Sequence, residues 1–342
     1  EYNNAVKEFD IAIWDRLKKI EVEADFETWK EFAINTHVHP VVTSYLSIKP
    51  SHFYSISTTV DGKSFVTARG WDDLSKMIQL YEMNDLEVDY DLISQYLQDE
   101  KIAKDFSHYY QLYAKYKADY KVESILAGTS DDTIKDRAKN AKFDERLSLI
   151  SLVMSQLDET MDKTVEKEQA IKTILADFKE INKVASSLQE YQQQINLKTA
   201  NYKKEMNEKE KGKALSKEEQ GLYYRILAYY DELLQALLST NTEPKEVIKT
   251  YLKSVINGLN EECKNANEAL NNTFIFFEEV FGQGQEMLIL VTEITLNTAI
   301  SKYIYNHGCD KYYQYNKQLL FEDKQNELLE KIDAINLLEF DD

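Results

Sequence analysis

Nine glycines and three prolines in 342 residues leave this chain little turn punctuation. Sheet architectures need a turn between every pair of short strands, and those turns draw on glycine and proline. The sequence therefore predicts a mainly α fold. Apolar spacing agrees. Leu147, Ile150, Met154, Leu157 and Met161 are three and four residues apart, and Ile171, Ile174, Phe178, Ile181 and Val184 follow a similar rhythm. Such a stripe is the seam of a helical bundle or coiled coil. The stretch Asn201 to Glu219 has few apolar residues. It reads as an exposed tip, giving a long helical hairpin over about 145–240 that turns near Lys211. Leu222, Ile226, Leu227 and Leu233 would then cover the Leu147–Met161 seam.

The first ninety residues are more varied. Asp25 suits an N-cap ahead of Phe26, Trp29, Phe32 and Ala33 at helical spacing. Pro40 opens a second helix and Pro50 stops it. Phe53-Tyr54-Ser55-Ile56 and Phe65-Val66 flank Asp61-Gly62, a hairpin signal. Trp71, Leu74, Ile78 and Tyr81 then mark one face of a third helix. Helices are expected after Pro244 and again from about Ala266 to Phe281, and Gly282-Gln283-Gly284 breaks the last of these. No fixed-period repeat indicates a solenoid.

The formal charge is −19. Phosphate affinity comes from clustered Lys and Arg, so nucleic acid and anionic membrane surfaces are poor partners. The apolar run Met287–Ile304 carries Glu293, Asn297 and Lys302, which favours a buried helix over a membrane span. Cys263 and Cys309 are too few and too far apart to imply a disulfide framework or zinc site, and they read as free thiols of a reducing compartment. No signal peptide is visible, and a start at Glu1 suits a piece of a longer protein.

Catalytic motifs are mostly missing. No phosphate loop occurs: Gly212-Lys213 lacks the upstream glycine, and Gly282-Gln283-Gly284 lacks the third glycine of a dinucleotide turn. No apolar strand ends in a magnesium-binding acidic pair. His37 and His39 lack companions at ligand spacing and read as cap or core residues. The tyrosines of 109–120 and 223–230 read as core with hydrated hydroxyls. Asp131-Asp132 reads as a helix start. By residue type alone, Arg16 would pair with Asp15 or Glu21, and Arg69 with Asp72 or Asp73.

Two contexts give these arginines another reading. Ala12-Ile13-Trp14-Asp15-Arg16-Leu17 and Phe65-Val66-Thr67-Ala68-Arg69-Gly70-Trp71 bracket Asp25-Phe26-Glu27-Thr28-Trp29 and His39-Pro40. In this order the segments resemble the end of a MoxR-type AAA+ ATPase module. The family more often shows Phe where this chain has Leu17, and Pro and Ser where it has Ala68 and Gly70. The resemblance implies that Arg16 is an arginine finger acting in trans and Arg69 is sensor 2, touching nucleotide phosphates. It implies a remnant of the α/β core over 1–24, a lid subdomain over 25–86, and an α-helical region over 87–342. It also implies a homo-oligomeric ring, a von Willebrand factor A-type partner, a cytoplasmic setting, and ATP with Mg in the intact protein. With the phosphate-loop half absent, this chain alone should bind neither and should be inactive. The rival expectations are a non-enzymatic helical scaffold or adaptor and a small-molecule-binding bundle.

Overall fold

The computed structural model describes residues 23–317, apart from 60, 61 and 241, together with Lys18. Arg16, most of the expected core remnant 1–24 and the chain beyond 317 lie outside these residues. The described chain is mainly helical with one two-stranded hairpin.

Helix α1 (Phe26–Asn35) begins where the Asp25 carboxylate accepts a hydrogen bond from the Thr28 amide at 2.9 Å. Helix α2 (Pro40–Ile48) has proline at its first position and His39 as cap, the imidazole Nδ1 accepting from the Val41 amide at 3.2 Å. Strands β1 (Ser55–Thr59) and β2 (Gly62–Val66) pair antiparallel, Thr59 opposite Gly62, so Gly62 opens the second strand. Helices α3 (Ala68–Met83), α4 (Tyr90–Tyr96) and α5 (Glu100–Tyr120) follow, then the shorter α6 (Val122–Leu126) and α7 (Asp132–Asn140). Asp131 caps α7, as its position implied. Segment 25–86 has the expected order of helix, helix, hairpin and helix.

The buried faces of α1–α3 belong to one continuous apolar cluster with the helices beyond residue 87. Helix α2 buries Val41, Val42, Tyr45 and Leu46 together with Thr43 and Ser44. It packs against the first half of α8 (Phe143–Val184), where Leu149 to Val165 complete the cluster. The late helices α11 (Pro244–Phe281), α12 (Gln285–Leu296) and α13 (Thr298–His307) close the same core.

The second half of α8 leaves this body and builds an arm. At 42 residues the helix spans about 63 Å. Helix α9 (Leu188–Lys211) returns along it, α10 (Lys217–Leu238) runs out again, and the first half of α11 comes back. The result is a four-helix bundle with its own core, including Ile171, Phe178, Tyr191, Tyr230 and Leu233. This corrects the expected hairpin over 145–240. Residues 201–211 are helical, and the chain does turn just after Lys211, but that turn folds back toward the body. Arg225 near the start of α10 reaches Glu166 at 2.6 Å. The far end of the arm is made by the connections at 185–187 and 239–243. Ile226 and Leu233 cover Ala170–Ala185, not the Leu147–Met161 stripe, which faces the body core.

Three tyrosines, the buried Tyr109 and Tyr230 and the half-buried Tyr202, bond their hydroxyls to protein where hydration was expected, while the buried Tyr229 hydroxyl has no partner among the described residues. Tyr109 links Ser44 and Ser148 at 2.7 and 2.8 Å. In the arm, Tyr202 and Tyr230 donate to Asp177, which also pairs with Lys198. Burial alone would raise the Asp177 carboxyl, but these three donors outweigh it and hold the group below its ordinary range.

The Met287–Ile304 run is split. A bend of 88° separates α12 from α13, and no single described helix is long and apolar enough to cross a membrane. Asn297 causes the break. Its side-chain oxygen caps α13 by accepting from the Ile300 amide, and its amide nitrogen donates to Asp158, each at 2.8 Å. A buried polar side chain so satisfied costs little where an unpaired one costs about 1–3 kcal/mol. Cys263 and Cys309 are free thiols.

Candidate functional site

Arg69 is the second residue of α3. Thr67, at the end of the hairpin, caps this helix by accepting from the Gly70 amide at 3.2 Å. Trp71 anchors it from beneath. The indole is fully buried between Tyr45 and Phe106, and its Nε1 donates to the carbonyls of His52 and Phe53 at 3.3 and 3.2 Å. Strand β2 is fixed in turn, because the Gln98 amide donates to the Phe65 carbonyl at 3.1 Å.

Gly70 is required by close approach. A Cβ there would lie 2.9 Å from the Tyr96 carbonyl oxygen at the end of α4. That contact explains why this chain has glycine where the resembled family favours serine.

Above this anchored base the Arg69 side chain is 91% exposed, and its Nε lies 3.5 Å from Asp73. Asp73 is one of the two carboxylates that residue type alone named as a partner. An exposed pair of this kind is worth about 0–1 kcal/mol and yields readily to a stronger anion. The first turn of α3 carries no acidic side chain. A helix N-terminus bears partial positive charge, so the guanidinium and the helix end attract the same anion. The arrangement can therefore receive a phosphate group. Arg16 lies outside the described residues, so the two arginines cannot be related geometrically.

A second polar constellation joins the 25–86 segment to the body. It borders a cleft of about 360 Å³ lined by His37, Gln79, Asp158, Asp162, Glu293 and Asn297, among others. His37 has a left-handed backbone, φ 56°, and its Nδ1 lies 3.1 Å from Asp158. Gln79 donates to the His37 carbonyl at 2.7 Å. Asn35, at the end of α1, accepts from the Thr298 amide at 2.9 Å and donates to the Leu296 carbonyl at 3.3 Å, across the α12–α13 break. Asp158 thus holds His37 with one oxygen and Asn297 with the other. The sequence showed Asn297 only as an interruption of an apolar run, though Asn ahead of Thr298 is also an N-cap signal.

Hydrogen bonding to Asp158 raises the His37 pKa. Burial opposes this, and the carboxylates of Asp158, Asp162 and Glu218 add to it. The folded value lies above the unfolded one, so this tie stabilises fully below about pH 6.5 and is lost as pH rises through the folded value. His37→Asn keeps a residue that tolerates φ above zero but cannot titrate. Its melting temperature should fall below that of the parent at pH 6, with the gap closing as pH rises. A gap independent of pH would contradict this. His39 also meets a carboxylate, Glu82, at 3.2 Å, and this contact first among its causes lowers Glu82 to about 2.

No family model matches the sequence, and neither the curated proteins nor the solved structures include a match to it.

Proposed function

We propose that this chain is the C-terminal part of a MoxR-like AAA+ ATPase, with residues 25–86 as its lid and Arg69 as sensor 2. The observation that carries the reading is Arg69 itself: a nearly free guanidinium in the first turn of a helix whose base is locked by Trp71, Thr67 and Gly70. Such a group spends little stability where it stands and is available to a phosphate. In this reading Arg16 is the arginine finger reaching a neighbour's nucleotide. ATP and Mg are held by a phosphate-loop half outside these 342 residues, in a homo-oligomeric ring in the cytoplasm. The four-helix arm projects from the lid-bearing body and suits contact with a von Willebrand factor A-type partner or a remodelling substrate. Within the arm, Asp177 and its tyrosine partners are mutually satisfied and serve packing, not chemistry.

The alternative is a non-enzymatic helical adaptor, favoured by the extent of the arm relative to the one exposed arginine among the described residues. The readings separate on the coding sequence upstream of Glu1. The ATPase reading predicts a phosphate loop there, ATP turnover by the longer polypeptide, and neither turnover nor micromolar ATP binding by the 342-residue chain in calorimetry. An upstream sequence without a phosphate loop, or tight nucleotide binding by this chain alone, would sink it.

A further inference from the structure

Near the body, α13 fills the seam between α8 and α11. The Tyr303 hydroxyl donates to the Cys263 carbonyl at 2.8 Å and to the Asn267 side chain at 3.1 Å, and His307 lies 3.2 Å from Glu168. Toward the far end of the arm no described residue fills the seam, and a groove of about 600 Å³ runs along α11 beside Asn182 of α8. At 100° per residue, Leu252 and Ile256 lie about 20° from the α11 face that Cys263 and Asn267 present to α13, and Asn182 lies about 40° from that of Glu168 on α8. The groove therefore continues the surface on which one helix already rests. From Lys245 to Ile256 it is about 17 Å long, against about 15 Å for the 10 residues of α13.

The lining divides by chemistry. Ile248, Leu252 and Ile256 form an aliphatic floor, and Lys245, Lys249 and Lys253 stand at every fourth residue beside it. Like charges at this spacing oppose their own helix. Elsewhere in the arm Lys167, Lys198 and Lys209 pair with carboxylates at 2.5, 2.6 and 2.8 Å. Among the described residues Lys245 and Lys253 make no ion pair, and Lys249 is 76% exposed and only 3.8 Å from Glu246, the one carboxylate of the lining. The side-chain oxygen of Asn182 accepts from the Tyr191 hydroxyl at 2.8 Å, which leaves its amide nitrogen without a partner among the described residues. The end of the arm beside the groove also exposes Val184, Leu188 and Leu238.

We propose that this groove docks an acidic amphipathic helix of a partner protein. Apolar side chains three and four residues apart on the guest enter between Ile248, Leu252 and Ile256, and carboxylates along one flank meet the lysine row. In a chain of charge −19, an uncompensated ammonium row is a place where an acidic segment can approach against the overall repulsion. The floor selects among acidic partners. A nucleic acid brings no aliphatic face to cover it, and a flat lipid surface meets the lysines without entering between two helices.

The inference does not depend on the ATPase reading, and its test uses the 342-residue chain. The probes are three fluorescein-labelled synthetic peptides of about 15 residues, long enough to span the groove as a helix. One carries a Leu and Ile face flanked by Glu, one the same face flanked by Lys, and one the composition of the first in scrambled order. In anisotropy titrations the Glu peptide should bind with a Kd of about 10–100 μM, and the other two at least about tenfold more weakly. Its affinity should fall at least about tenfold between low and high salt. Replacing the row by Lys245→Glu, Lys249→Glu and Lys253→Glu together should weaken the Glu peptide at least about tenfold and strengthen the Lys peptide, a gain that a misfolded variant does not give. No binding of the Glu peptide up to about 1 mM, equal binding of all three peptides, or an affinity indifferent to both salt and the triple variant would each overturn the proposal. So would phosphatidylserine vesicles that retain the parent chain and not the triple variant, because the lysine row would then serve a lipid surface.

Discussion

Arg69→Ala, made in the longer ATPase proposed here, should lower ATP turnover about 10²- to 10³-fold, the scale on which single preorganised charge-stabilising donors act. The same substitution should leave the melting temperature of the 342-residue chain essentially unchanged. Both halves follow from one geometry. The guanidinium is 91% exposed and among the described residues pairs only with Asp73, at 3.5 Å, so its removal should cost the described fold little. A side chain contributing so little to stability has its value in what it reaches. Arg69→Lys keeps the charge but loses the planar fork that fits phosphate, and should recover only part of the rate. Steady-state turnover and circular dichroism melts of the two variants decide this. A large loss of stability in Arg69→Ala, or full activity, would contradict it.

Two residues along the same helix the expectation reverses. Trp71→Ala should cost about 3–5 kcal/mol, the usual range for a fully buried large aromatic. The indole is 0% exposed, contacts Tyr45 and Phe106, and satisfies the carbonyls of His52 and Phe53. Its loss leaves a cavity beneath the first turn of α3 and two carbonyls without their donor. In urea the midpoint should drop with little change in slope. Trp71→Phe should lose less, since it keeps most of the volume and forfeits the Nε1 bonds. If Trp71→Ala unfolds at the parent's urea midpoint, Trp71 does not anchor the base on which Arg69 stands.

Local punctuation was the part of this fold most legible in the chain. Asp25 and Asp131 cap helices, Pro40 and Pro244 open them, and Gly282, at φ 63°, ends α11 where the Gly-Gln-Gly break was expected. Pairing between helices was less legible. Spacing of three and four says that Leu147 to Met161 face something apolar, but not which helix supplies it. The turn at 185–187 does carry a signal. Ser187 and Glu190 form a capping box, as do Ser216 and Glu219, and both Ser-x-x-Glu patterns are visible in the sequence. Together they divide the presumed hairpin into three helices and relocate the arm's far end. The polar knot of Asn35, His37, Asp158 and Asn297 was not legible, because it joins residues up to 263 positions apart. For the candidate site, the sequence supplied the identity of Arg69 and its likeness to a family. The exposure of its side chain and the close approach at Gly70 required coordinates.

The central claim is that Arg16 and Arg69 serve the same nucleotide chemistry from different subunits. The most direct measurement is ATP turnover in mixed assemblies of the longer polypeptide. One mixture combines Arg16→Ala subunits with phosphate-loop-disabled subunits, and another combines Arg69→Ala with the same partner. Each variant alone should be strongly impaired. The first mixture should regain part of the activity, because an intact finger can reach an intact nucleotide pocket across the interface. The second should regain none, because sensor 2 acts on its own subunit's nucleotide. Full activity in both single variants, or equal rescue of both mixtures, would contradict the account.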